Sequence, residues 1–379
     1  MPAAKHAAGG VSWGRAGRAA ESGGRRGSDP GESAPDVAAT GDSWSAMPGT
    51  RLTTVCPPND FGGSGYEFGD RCGNVLAAWN SGALDTKRNR LVFLGGGHED
   101  YAGNELYALE LGTRRLVRLT DPGVPIAGRG ATQGLECGMP AIVSGTQPNS
   151  RHTYDGVAYV EHADVLLLVG GSCFPTGYRT RDIWAYSFTS QAWSLKLTAA
   201  QTGLYAGDDG YTTAYDPVTE LVFISDSTAV FAYDFGRNRI DMVARLDGFN
   251  STYGQALLVP DRRWLLLFNH GAGNLLRVDI TQPTSPTVSV LATTGGASVV
   301  AGYFPGLTYN RDEKVVVAWP GGRNVYRLDL NDLRWSTQAI ANPPTATANG
   351  VFERFTYSSA TREYVTIVQP DDDARYWRP

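Results

Sequence analysis

The chain has 379 residues, 42% of them hydrophobic, with a net charge of −5 and a pI near 5.6. An acidic balance without a basic block excludes a nucleic-acid partner, and no apolar run approaches the roughly 20 residues of a membrane helix. With 46 glycines, 18 tyrosines, 9 tryptophans and little lysine, the composition excludes a helical bundle and points to an all-β protein.

Residues 1–42 are rich in Gly, Ala, Ser, Pro and Arg, without apolar periodicity, and read as a disordered tail. No secretory hydrophobic region is visible in them. Folding is expected to start near Trp44, and 43–55 reads as a spare strand. The four cysteines form no CxxC pair. Cys56 and Cys72 flank a Gly-rich loop, and Cys137 and Cys173 flank the next irregular segment. Disulfides 56–72 and 137–173 are the expected pairing among three connectivities, with four free thiols as the alternative. Pairing would place the protein outside the cytoplasm, secreted or periplasmic.

From residue 81 onward one unit returns. SGALDTKRNRLVFLGGG reads as strand, tight turn, strand and glycine stop, and five related units follow it. Their turn residues Asp85, Glu161, Asp216, Pro260, Asn310 and Ser358 are spaced by 76, 55, 44, 50 and 48 residues. The long first gap holds a Gly- and Pro-rich insertion, 119–149. A second hairpin follows the glycine stops, as in NELYALELGTRRLVRL and DIWAYSFTSQAWSLKL, which makes four strands per unit. A period of 40–50 residues with four strands is that of a β-propeller, here of six blades. A seventh would have to lie in the insertion, which lacks alternation. RYWRP at 375–379 reads as a third strand without a fourth, so 43–55 is expected to complete the last blade and close the ring.

Glycine pairs after the second strand, an aromatic third strand and a Trp in the fourth resemble Kelch repeats, best in RHTYDGVAYVEHADVLLLVGG followed by DIWAYSFTSQAWS. The resemblance, to the galactose-oxidase-like propellers, covers about 73–379 and implies architecture more than activity.

Strand polarity sets which residues meet. The loops before strand 1 and between strands 2 and 3 share a face, so His98, Glu99, Tyr101 and Asn104 lie beside Arg151, His152 and Tyr154. Tyr211, Tyr253 and Arg354 begin their own blades at that level, and His270 lies in a 2–3 loop. His162 falls in a 1–2 turn on the opposite face. Trp79, Phe174 and Trp319 are expected near the rim, where aromatic rings stack on sugars.

A copper-radical oxidase needs a Tyr-His pair that is absent, and GGS at 170–172 is not a G-x-S-x-G elbow. Polysaccharide β-elimination suits the residue types better. It takes a His or Tyr base, an acid such as Tyr, and a cation for the uronate carboxylate. The catalytic set is then His98, His152, Tyr154 and Tyr211, with Arg151 and Arg354 on the carboxylate. Glu99, Tyr101, Asn104, Tyr253, His270, Trp79 and Trp319 would bind the chain. This pattern is similar, in a general way, to propeller-fold lyases of ulvan and oligogalacturonate. The expected partner is an acidic poly- or oligosaccharide, and the protein is expected to be a monomer. No cofactor is required; a divalent metal, Mn²⁺ or Zn²⁺, on His98, His152 and His270 is the metal-dependent variant. The other class of function is a non-catalytic propeller that binds glycan or protein through the same face. Arg151 and His152 also have a structural alternative, bonding backbone carbonyls between blades.

Overall fold

The computed structural model describes residues 42–123, 147–270 and 272–379. The tail up to residue 41 and the middle of the 119–149 insertion lie outside the described residues.

Six antiparallel sheets form a six-bladed propeller. Blade one is Gly82–Asp85, Arg90–Phe93, Tyr107–Glu110 and Arg115–Arg118. Blade two runs through Val157–Val160, Val165–Cys173, Tyr178–Ser187 and Ala192–Leu197. Blades three, four and five begin at Thr212–Asp216, Gly254–Val259 and Gly306–Asn310, each followed by three further strands in order. Blade six has Phe355–Ser358, Glu363–Thr366 and Arg375–Trp377, and Ser45–Ala46 from the other end of the chain as its outer strand. Ser45 pairs with Tyr376 and Ala46 with Arg375. The closing strand is therefore two residues long, shorter than the expected 43–55, because Leu52–Thr54 turns into a 3-10 helix.

Alternation along the strands explains the packing. In blade three, Val222 and Ile224 face an apolar cluster shared with Leu167 and Val169 of blade two. Phe223 between them faces a cluster shared with Leu265 and Leu267 of blade four. Successive side chains of a strand point to opposite faces, so one strand serves two interfaces. Trp319, expected on the rim, is buried between blades five and six against Trp44 and Phe355, its Nε1 donating to Gly322 O. Trp319 ends the strand Val315–Trp319 of blade five, and its side chain takes the inward alternation instead of the exposed place expected for it.

The Cys56–Cys72 disulfide is present. Cys173 is also disulfide-bonded; the expected partner, Cys137, lies outside the described residues. Among the described residues no helix is long and apolar enough to cross a membrane.

Blade two departs from the others in a way that builds the site. Its second and third strands run on past the sheet through a bulge at Gly170. The two-residue strand Arg151–His152 pairs with this extension, His152 opposite Ser172 and Arg151 opposite Cys173.

Candidate functional site

The extended arm of blade two and the loop after the glycine triplet of blade one meet over the ring. Gly97 makes this approach possible. Its φ is +74°, and a Cβ there would stand 1.9 Å from the His152 nitrogen, so only glycine fits. His98 follows it at φ 36°, with its N–H directed at Ser172 O. From the other side Gly177 lies against the His98 ring, where a Cβ would be 2.6 Å from Cδ2.

Between these segments lies a pocket of about 290 Å³, lined by Trp79, His98, His152, Tyr154, Ser172 and Asp209, with Thr176, Gly177 and Tyr253 completing it. Five of the residues named from sequence thus share one concavity. His152 is buried, with Nε2 2.7 Å from Asp100 Oδ2. Its ring lies 5.2 Å from Trp79, 6.1 Å from His98 and 6.0 Å from Tyr154, centroid to centroid. The His98 ring is exposed and, among the described residues, has no hydrogen-bond partner. Tyr154 is held by its own backbone N–H on Trp79 O, and its hydroxyl lies 3.5 Å from Ser172 Oγ. Burial, chiefly, pushes the phenol up to about 12, so it carries its proton at neutral pH. Tyr253 is largely exposed over the pocket and meets Tyr303 and Phe304 edge-on or tilted.

A positive group stands at the rim. Arg179 donates through Nε and Nη2 to the Asp209 carboxylate and through Nη1 to Gly207 O. A guanidinium has five N–H donors, so two remain. Sequence reasoning did not reach Arg179, because nothing in the repeat marks the extension of blade two that carries it.

The other expected residues are engaged elsewhere. Arg151 is fully buried, ion-paired to Asp182 and bonded to the Asn149 and Gly170 carbonyls, the interblade alternative weighed for it. Arg354 is buried between blades six and one, donating to Leu76 O and Gly350 O; burial pulls its guanidinium down to about 9. Neither reaches the pocket, so neither takes the carboxylate role expected of it. Tyr211 is buried with its hydroxyl on Tyr205 O. Tyr101 donates to Glu105, which burial pushes above the usual carboxylate range. Asn104 ties the two ends of the insertion, bonding Gln147, Pro148 O and the Gly123 N–H. Glu99 is exposed and lines a separate hollow with Tyr66, Arg71 and Phe174.

His270 is also apart. Its ring is buried between Val300 O and Gln255 Oε1, at 3.2 and 3.0 Å, and burial pulls it down to about 4. The three histidines therefore do not converge on one metal. Among the described residues no group of three or more His, Cys, Asp or Glu side chains is placed to hold an ion.

No protein-family model matches the sequence, and no curated protein matches it. Solved structures do match its fold. An auxiliary nutrient binding protein from Bacteroides thetaiotaomicron aligns at 11% identity over 88% of this chain and 75% of its own, with a TM-score of 0.54. A second, from Bacteroides ovatus, aligns at 11% identity over 80% and 70%, with a TM-score of 0.51. A protein of unknown function from Bacteroides thetaiotaomicron aligns at 11% over 89% and 76%, also with a TM-score of 0.51. At these identities the likeness is one of fold.

Proposed function

We propose that the mouth between blades one and two is a carbohydrate site at which uronate-containing glycans are cleaved by β-elimination. The observation that carries this reading is the sharing of one pocket by His98, an imidazole with no hydrogen-bond partner among the described residues, and a phenol that keeps its proton, Tyr154. Elimination needs both. His98 takes the proton next to the uronate carboxyl group. The electron pair left behind forms the carbon–carbon double bond as the glycosidic carbon–oxygen bond breaks, and Tyr154 gives its proton to the departing oxygen. Arg179, with two N–H groups to spare, takes the uronate carboxylate in place of the arginines named from sequence. Asp100 fixes the ring of His152, and Trp79 and Tyr253 supply faces on which a sugar stacks. The disulfide between Cys56 and Cys72 supports an oxidising compartment, secreted or periplasmic.

A second reading, glycan binding without turnover, is favoured by one specific observation. Both arginines that sequence offered as carboxylate partners are spent inside the protein. The two fold neighbours described as auxiliary nutrient binding proteins support the same reading.

The deciding experiment mixes the protein with a panel of uronate polysaccharides and follows the ultraviolet absorbance of the conjugated product. Growth of that band, lost in His98→Ala and in Tyr154→Phe, supports elimination. A flat trace together with saturable glycan binding, weakened by Trp79→Ala, makes the protein a binder.

A further inference from the structure

Four aromatic side chains are exposed among the described residues, and all are tyrosines: Tyr178, Tyr205, Tyr253 and Tyr303. All four lie on the face that carries the pocket. Tyr178 opens the third strand of blade two, and the others lie in the loops that lead into the first strands of blades three, four and five. Single exposed apolar residues are ordinary, but a grouped set marks a surface that meets something else.

Tyr253 and Tyr303 continue the pocket outward. Tyr253 lines it while staying 42% exposed, and its ring centroid lies 6.0 Å from that of Tyr303, which is 65% exposed. Both rings rest on Phe304, at 5.7 and 5.9 Å. Phe304 is buried and stacked on Phe352 at 4.7 Å, and its carbonyl accepts from the Val351 N–H. Tyr253 ends the 3-10 helix Ser251–Tyr253, its N–H donating to Asn250 Oδ1. The two rings thus stand on fixed backbone and a buried aromatic base. Tyrosine also has few rotatable bonds to immobilise, so ordering the pair around a ligand costs little. Their planes meet at 84°, a corner rather than a flat shelf. The pocket itself holds little of a polymer. At about 290 Å³ it lies at the small end of the roughly 300–1,000 Å³ usual for small-molecule sites, so a polysaccharide seated there must continue over the surrounding face.

On the reading of the pocket as a carbohydrate site, we propose that Tyr253 and Tyr303 form successive subsites leading away from it. The ligand preferred is then a polysaccharide or long oligosaccharide rather than a mono- or disaccharide. One sugar sits in the pocket, and the next residues of the chain lay their apolar C–H faces on Tyr253 and then on Tyr303. Because the two rings form a corner, the chain turns as it passes from one to the other. Tyr303 acts through its ring face, and its hydroxyl is not needed.

The test is calorimetric titration of the full chain with disaccharides and hexasaccharides of polygalacturonate, polymannuronate and hyaluronan. Where the native chain consumes a ligand, the titrations are made in a His98→Ala background. The expected result is that, in at least one series, the hexasaccharide binds more tightly than its disaccharide. Tyr303→Ala should weaken that hexasaccharide about two- to tenfold, the scale of one aromatic contact, and leave the disaccharide unchanged. Tyr303→Phe should bind as the native side chain does, with melting curves of all variants as the folding control. Equal affinity for the two lengths, a hexasaccharide untouched by Tyr303→Ala, a loss shared by the disaccharide, or a Tyr303→Phe variant as weak as Tyr303→Ala overturns the proposal and leaves the carbohydrate pocket standing. No binding by any of the saccharides overturns both.

Discussion

Asp100 Oδ2 lies 2.7 Å from Nε2 of His152, joining the loop of blade one to the arm of blade two. The imidazole is buried while the carboxylate is about one-third exposed, so the bond sets the ring's orientation from the solvent side. Asp100→Ala should lower turnover, or glycan affinity, without unfolding the protein. Asp100→Asn, whose amide oxygen still accepts the hydrogen bond, should lose less. Steady-state kinetics on both variants, with melting curves as the folding control, checks this.

Tyr154→Phe and His98→Ala each remove a proton-transfer group. A positioned acid or base contributes about 10²–10⁴-fold, and a loss of that order in kcat with little change in KM is expected from each. The phenol keeps its proton up to about pH 12. Any alkaline decline in activity below that point should therefore persist unchanged when rate profiles are taken with Ser172→Ala.

His270 makes stability depend on pH. The buried ring resists protonation down to about pH 4, whereas in the unfolded chain it takes a proton below about 6.5. Unfolding thus gains protons, so stability is full above pH 6.5 and falls as pH drops towards 4. Between pH 7 and 5 the loss from this one residue is about 2 kcal/mol. Urea titrations at the two pH values should show that difference shrink in His270→Gln.

Trp44 is buried against Trp319, Phe355 and Trp377, with ring centroids 5.4, 6.3 and 6.2 Å away. Trp44→Ala should cost about 3–5 kcal/mol, the range for large aromatic truncations in a core. Chemical denaturation measures it. A cost below about 1 kcal/mol would mean that the closing segment contributes little to the fold.

Replacing Cys56 and Cys72 by serine opens a loop of 16 residues. Loop-closure entropy for that length corresponds to about 3 kcal/mol. The expected loss is of that size, and because Cys72 also packs in the core beside Phe68 and Leu76, it should not be smaller. Denaturation with and without reductant on the native chain provides the comparison.

The repeat carried the architecture openly. Turn spacing, strand alternation and a third strand without a fourth were enough to predict six blades and a closing segment from the other end of the chain. Side-chain direction was not legible. Arg151 and His152 are adjacent in a two-residue strand and so point opposite ways, one to Asp182 and the other towards the pocket. The sequence does not say which. Trp319 and Tyr211 lie at the predicted level but turn inward for the same reason.

Blades one to five are each made from residues close together in the chain, so each can form soon after its own segment leaves the ribosome. Blade six cannot. Its sheet joins Ser45–Ala46 to Arg375–Trp377, the longest sequence separation of any strand pairing among the described residues. Until both ends are present the nascent protein is an open crescent with an unpaired strand at each tip, the form most prone to edge-to-edge association. Closing the ring is therefore the step at which a folding helper, or a slow translation rate, would change yield most.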